Sequence, residues 1–93
     1  MTIGLCRLDL YLPECGSLKH KRGILKSLVT RIRNKFNVSV SELEDNDRWQ
    51  KALLGVAIVA NDSRYANQVL SKVVDMVQGE GQLILMDYSL ELL

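Results

Sequence analysis

The sequence predicts an α+β fold of element order β-α-β-β-α-β, a four-stranded antiparallel sheet with two helices on one face. Three observations predict it. Two stretches, 17–35 and 61–79, repeat apolar residues at helical spacing, and each lies between strand-like segments. Residues 2–12 alternate with period two. The run Ala52-Leu53-Leu54-Gly55-Val56-Ala57-Ile58-Val59-Ala60 is apolar on both faces, as a strand inside a sheet is.

In the first strand Cys6, Leu8, Leu10 and Leu12 point one way and Arg7, Asp9 and Tyr11 the other. Pro13-Glu14-Cys15-Gly16 ends it, since proline removes a donor and glycine permits a sharp turn. Ser17 caps a helix running to about Lys35. Its apolar face is Leu18, Leu25, Leu28, Val29 and Ile32, with Ile24 at the edge, an arc of roughly 120–140°. Phe36-Asn37-Val38-Ser39-Val40-Ser41 alternates again and predicts a second strand to about Glu44, followed by a polar turn at Asp45-Asn46-Asp47. The third strand runs from Gln50 to Ala60. Asn61-Asp62-Ser63 offers a second helix cap, and Ala66, Val69, Leu70, Val73, Val74 and Val77 follow at helical spacing up to Gly79. Residues 82–92 form the last strand. Right-handed βαβ crossovers interleave these elements into the split βαβ, or ferredoxin-like, sheet with the first and third strands in the middle.

The chain of 93 residues makes one domain. Such a chain buries only about 60–65% of the surface it exposes when unfolded, so an oligomer interface would help it. Net charge is +1, so attraction to nucleic acid must come from local clustering. Cys6 and Cys15 are nine residues apart and read as reduced thiols of a cytoplasmic protein. No stretch reaches the roughly 18 apolar residues of a membrane span. The start, Met1-Thr2-Ile3-Gly4, lacks the basic head and apolar body of a secretion signal.

With both helices on one face, the other face of the sheet should be polar. It is partly apolar instead. Ile3 and Leu5 of the first strand fall there beside Arg7, Asp9 and Tyr11. The third strand adds either Leu53, Ala57 and Val59 or Leu54, Val56 and Ile58, and the last adds Leu83 and Leu85 or Ile84 and Met86. A patch of several hundred Å² is near the limit for a soluble monomer. A homodimer burying this face is the favoured remedy; a chain tail folded over it is the alternative.

The first helix is unusually basic. Lys19, Lys21, Arg22, Lys26, Arg31, Arg33 and Lys35 give seven cations and no acid in 17 positions, out of twelve Lys and Arg in all. Lys19, Arg22, Lys26 and Arg33 form a stripe within about 60° on the helical wheel. Cations in the first turns oppose the helix dipole at a cost of a few tenths of a kcal/mol each. Bound phosphate would offset that cost, through free backbone N–H groups and the Lys and Arg side chains. Ser17, Lys19, Lys21, Arg22, Lys26 and Arg33 are therefore the candidate phosphate- or RNA-binding residues. The competing reading is a solvated basic face neutralised by Glu42, Glu44, Asp45 and Asp47.

No catalytic site assembles. The four acids just named lack a further ligand for a hard metal, and read as a solvated loop. His20 has no nucleophile beside it. A Walker loop and a dinucleotide fingerprint are absent, so no cofactor and no metal is expected. Acylphosphatases share the architecture, but their glycine-rich loop with its arginine is replaced here by Pro13-Glu14-Cys15-Gly16. RNA recognition motifs share it too, yet the first strand offers only Tyr11 as a stacking platform and the third has no aromatic after Trp49. Trp49 reads as a core or interface anchor.

Three segments carry a resemblance: Ser17-Leu18-Lys19-x-Lys21-Arg22; Arg33-Asn34-Lys35-Phe36-Asn37-Val38-Ser39-Val40-Ser41-Glu42; and Asp47-x-Trp49-Gln50-Lys51-Ala52-x-Leu54-Gly55-Val56-Ala57. Together they resemble the YlxP-like family of small bacterial proteins of unknown function, over nearly the whole chain. At His20 the family often has an acid that would complete a capping box with Ser17. The resemblance implies a ferredoxin-like domain and a dimer, and supplies no activity. The family's genes often lie beside those for translation initiation and ribosome maturation, an association pointing to RNA or the ribosome. The expected function is non-enzymatic binding of structured RNA or the ribosome. The alternative is a dimeric sensor or scaffold for a small anionic metabolite or a protein.

Overall fold

β1 (Thr2–Tyr11) keeps the predicted alternation, with Cys6, Leu8 and Leu10 buried and Arg7 and Asp9 exposed. The computed structural model describes residues 1–43 and 48–93. α1 (Leu18–Lys35) starts where Ser17 Oγ accepts the His20 backbone N–H at 3.0 Å. It ends at Phe36, whose N–H still bonds the Ile32 carbonyl at 2.9 Å. The Val38 N–H then bonds the Phe36 carbonyl. These bonds take up the N–H groups of Phe36 and Val38, so β2 is shorter than its alternation suggests and covers Ser39–Glu42. The predicted end at Glu44 and turn at Asp45-Asn46-Asp47 lie outside the described residues.

β3 (Lys51–Ala60) is followed by α2 (Ser63–Gln78). The Asp62 carboxylate caps α2 by accepting the Tyr65 N–H at 2.8 Å. Gly79 closes it, donating to the Asp75 and Met76 carbonyls. β4 (Ile84–Leu92) completes the sheet, in which the order is β2-β3-β1-β4 and every pairing is antiparallel. The fold is the ferredoxin-like one, with β1 and β3 central as the sequence predicts.

Register fixes what each face carries. Arg7 stands opposite Gly55 on one side and Ser89 on the other. Between Asp9–Asp87 and Leu10–Leu85, β4 holds an extra residue, Met86. This bulge switches the parity of β4, so that Leu85 before it and Leu90 after it both pack against the core. The core lies between one sheet face and the helices, joining Leu8, Leu10, Leu54 and Val56 to Leu28 and Ile32 of α1 and Leu70, Val73 and Val77 of α2. Gly4 admits α2 closely: a Cβ there would sit 2.8 Å from Leu70 Cδ1 and 3.0 Å from Ile58 Cγ2.

Candidate functional site

The outer side of α1 carries Lys19, Arg22 and Lys26 on successive turns, all exposed, with Arg33 two turns further on. At 1.5 Å per residue this stripe is about 21 Å long. No acid occupies the first turn. Arg33 is steered by β2: its guanidinium donates to the Val40 carbonyl at 2.7 Å, which aims it along the α1–β2 seam. Arg31 lies outside the stripe and pairs with Glu80, which ties the C-terminal part of α1 to the segment after α2. The Lys35 ammonium lies 5.7 Å from the Phe36 ring centroid.

Lys21 does not join the stripe, contrary to its place among the candidate phosphate ligands. It is 3% exposed. Its spacing explains why, since Leu25, Leu28 and Ile32 follow at i+4, i+7 and i+11, all on the buried face. The ammonium donates to the Arg48 carbonyl at 3.0 Å and stands 3.7 Å from a Glu42 carboxylate oxygen. The lysine stem packs as an apolar residue while its head reaches internal partners. Glu42 thus serves a buried lysine and not the exposed stripe, and Glu44, Asp45 and Asp47 lie outside the described residues. Ser17 is taken up by its cap, and His20 is exposed one residue after Lys19.

Burial pushes the Cys6 thiol up to about 11 from its usual 9.0, the behaviour of an inert structural cysteine. Cys15 is buried as well, and its thiol donates to the Ser17 carbonyl. Both cysteines are free. Among the described residues no group of three His, Cys, Asp or Glu side chains gathers as metal ligands. No helix there is long and apolar enough to cross a membrane.

The sheet face away from the helices is a second feature. Of the two parities open for β3, the register selects Leu53, Ala57 and Val59. Ile3 stands between Val59 and Leu93, and Leu5 between Ala57 and Glu91. Val59 is 69% exposed and Leu93 64%. Sequence reasoning missed Leu93, because only its paired hydrogen bonds with Ile3 put it on this face. It also missed Leu43, whose side chain lies against Gly55 where a Cβ would otherwise sit. Leu5, Leu43, Gly55 and Ala57 line a hollow of about 350 Å³. Toward the other end Arg7, Asp9, Asp87 and Ser89 surround a smaller cleft together with Leu53, and beyond it the exposed Ile84 stands opposite Tyr11. Trp49 is half exposed at the entry to β3 and is not part of the core.

The family model described as "Protein of unknown function (DUF503)" matches residues 3–90. The uncharacterized protein YlxP of Bacillus subtilis (strain 168) is 37% identical over 75 residues, which cover 81% of this chain and 82% of that protein. Among solved structures, a de novo designed protein with a ferredoxin fold superposes with a TM-score of 0.53 at 7% identity, covering 100% of this chain and 83% of that one. A mutant of SnoaB, a cofactor-independent oxygenase from Streptomyces nogalater, gives 0.50 at 7% identity, with 99% and 90% covered. At such identities these two structures speak to the fold alone.

Proposed function

We propose that this chain, which belongs to the DUF503 family of proteins of unknown function, is a non-enzymatic binding protein that holds structured RNA, ribosomal RNA foremost, against the exposed face of α1. One observation carries the reading: Lys19, Arg22 and Lys26 stand exposed on successive turns, with Arg33 in line, on a helix that contains no acid. Cations at a helix start work against the dipole, and a phosphate backbone reverses that penalty. Point charges spaced along a helix read shape and charge, not base sequence, which suits an A-form RNA surface. Ribosomal RNA would place the protein in the cytoplasm. Ser17 contributes by holding the helix start in shape. Lys21 has no part in RNA contact and belongs to the fold.

The test is binding to ribosomal RNA and ribosomal subunits at about 50 and 200 mM salt. Wild type is compared with a Lys19→Ala, Arg22→Ala, Lys26→Ala triple variant. Three to four neutralised phosphates of a duplex imply a salt slope between about −2.7 and −3.6, so wild-type affinity should fall roughly 40- to 150-fold between the two salts. The triple variant should lose most of its affinity and most of that slope. Equal wild-type affinity at both salts would contradict the reading. Absence of RNA binding together with thermal stabilisation by a phosphorylated or carboxylated metabolite would favour a sensor domain instead.

A further inference from the structure

We propose that the outer edge of β4 docks an extended segment of a partner protein, one that alternates lysine or arginine with apolar residues and joins the sheet as a fifth strand. β4 is the outermost strand on its side of the sheet. Ile3 and Leu93 exchange both backbone hydrogen bonds, at 3.1 and 2.7 Å. That fixes the parity of the ladder, so Leu5–Glu91, Arg7–Ser89 and Asp9–Asp87 are bonded pairs as well. The N–H and C=O groups of Tyr88, Leu90 and Leu92 therefore point away from β1, toward the free edge. The register runs unbroken from Asp87 to Leu92, and the bulge at Met86 limits it on the other side. The Tyr88 N–H is held at 2.9 Å by the Asp87 carboxylate, the one partner of this outward row among the described residues. The opposite edge of the sheet is better covered. β2 is four residues long, and its outward Val40 carbonyl already accepts the Arg33 guanidinium. Natural edges are blunted by lysine or proline, and the stretch Ile84–Leu92 has neither.

Side chains decide which strand fits. Along this edge Asp87, Ser89 and Glu91 stand on the open face of the sheet, and Tyr88, Leu90 and Leu92 on the helix side. Both charged residues of β4 are acids. Tyr88 and Leu92 are 49% and 38% exposed, an apolar shelf beside the core. A strand laid along the edge alternates in the same way. Its residues on the open face meet Asp87 and Glu91 at about 5 Å, where opposite charges support the pairing. Its residues on the other face meet the shelf. Arg7 lies on β1, two strands from the added one and about 10 Å away, where salt screens it. A second copy of this chain fits worse. Pairing β4 with itself would gather two copies of Asp87 and Glu91 on one strip, with no cation from either strand. Main-chain bonds would supply the affinity and the alternating side chains the specificity. α1 packs at β2, the opposite edge of the sheet, so peptide docking and RNA contact fail independently.

Amide hydrogen exchange of the intact protein, read by NMR, tests the proposal. The probe is a capped peptide of alternating lysine and valine, as long as the nine residues of β4, added to about 1 mM. It should slow exchange at Leu90 and Leu92 on the order of tenfold or more at saturation. A peptide of alternating glutamate and valine should not bind. A peptide with the same lysines and valines in two blocks should bind on the order of tenfold more weakly. The Asp87→Lys, Glu91→Lys double variant, with a native circular dichroism spectrum, should take the glutamate peptide and refuse the lysine one. Leu92→Pro removes an outward N–H that the ladder to β1 does not use, and should weaken the lysine peptide several-fold. No binding of the alternating lysine peptide at about 1 mM would overturn the proposal. So would equal binding of the three peptides, or saturation with unchanged exchange at Leu90 and Leu92. Protection of those two amides that grows with protein concentration and without peptide would make a second copy the occupant, and would overturn it too. The Lys19, Arg22, Lys26 triple variant should take the peptide as wild type does, which separates this outcome from failure of the RNA reading.

Discussion

Lys21 sits at the middle of the apolar arc of α1, and its ammonium must find partners there or cost several kcal/mol. It finds the Arg48 carbonyl and Glu42. Lys21→Ala removes the charge and the packed stem together. It should lower stability by about 1–3 kcal/mol in urea unfolding, with RNA affinity of the folded variant unchanged. Lys21→Met keeps the stem and should cost less. The position of Lys21 was legible from its spacing to Leu25, Leu28 and Ile32. Its partners were not, because they come from β2 and from the approach to β3. Cys6 offers a second test at this scale. Burial raises its folded pKa to about 11, above the unfolded value near 9. The neutral thiol is thus favoured by folding: its contribution is complete below about pH 9 and is lost as pH rises toward 11. Wild type should lose about 1–2 kcal/mol more than Cys6→Ala across that window, read from paired unfolding curves. Equal slopes for the two proteins would contradict it.

Among the elements, β1 and the two helices were the most legible, because period and cap agree: Ser17 before α1 and Asp62 before α2 each accept the N–H three residues on. The second strand was overextended. The alternation of 36–41 is real, but Phe36 and Val38 spend their N–H groups on the end of α1. The parity of β4 was not readable at all, since the bulge at Met86 exists only in the register against β1. Gly4 leaves room on β1 for the Leu70 side chain of α2. Gly4→Ala puts a methyl 2.8 Å from Leu70 Cδ1 and should lower stability by about 1–3 kcal/mol, visible as a drop in Tm. An unchanged Tm would mean that Leu70 swings aside freely.

For the whole molecule, the two faces divide the work. One sheet face and both helices form the core, which leaves the outer side of α1 and the open sheet face as the surfaces with distinctive chemistry. A net charge of +1 hides the first of these, because the acids lie elsewhere in the chain and the stripe stands on one helix side. The stripe was legible residue by residue, apart from Lys21. The open face was legible only as two alternatives, and pairing settled it: Ile3 opposite Val59 and Leu5 opposite Ala57. Sequence alone did not show that Arg7, Asp9, Asp87 and Ser89 gather around one cleft of that face, since this depends on which residues of neighbouring strands come side by side.

The central claim, RNA held on the outer side of α1, is tested most directly by amide-resolved NMR of the protein titrated with a ribosomal RNA fragment at about 50 mM salt. The account predicts that shifts concentrate between Lys19 and Arg33, grow with RNA, and reverse when salt is raised to about 200 mM. Shifts confined to Ile3, Leu5, Ala57 and Val59 on the open face, or none at all along α1, would contradict it.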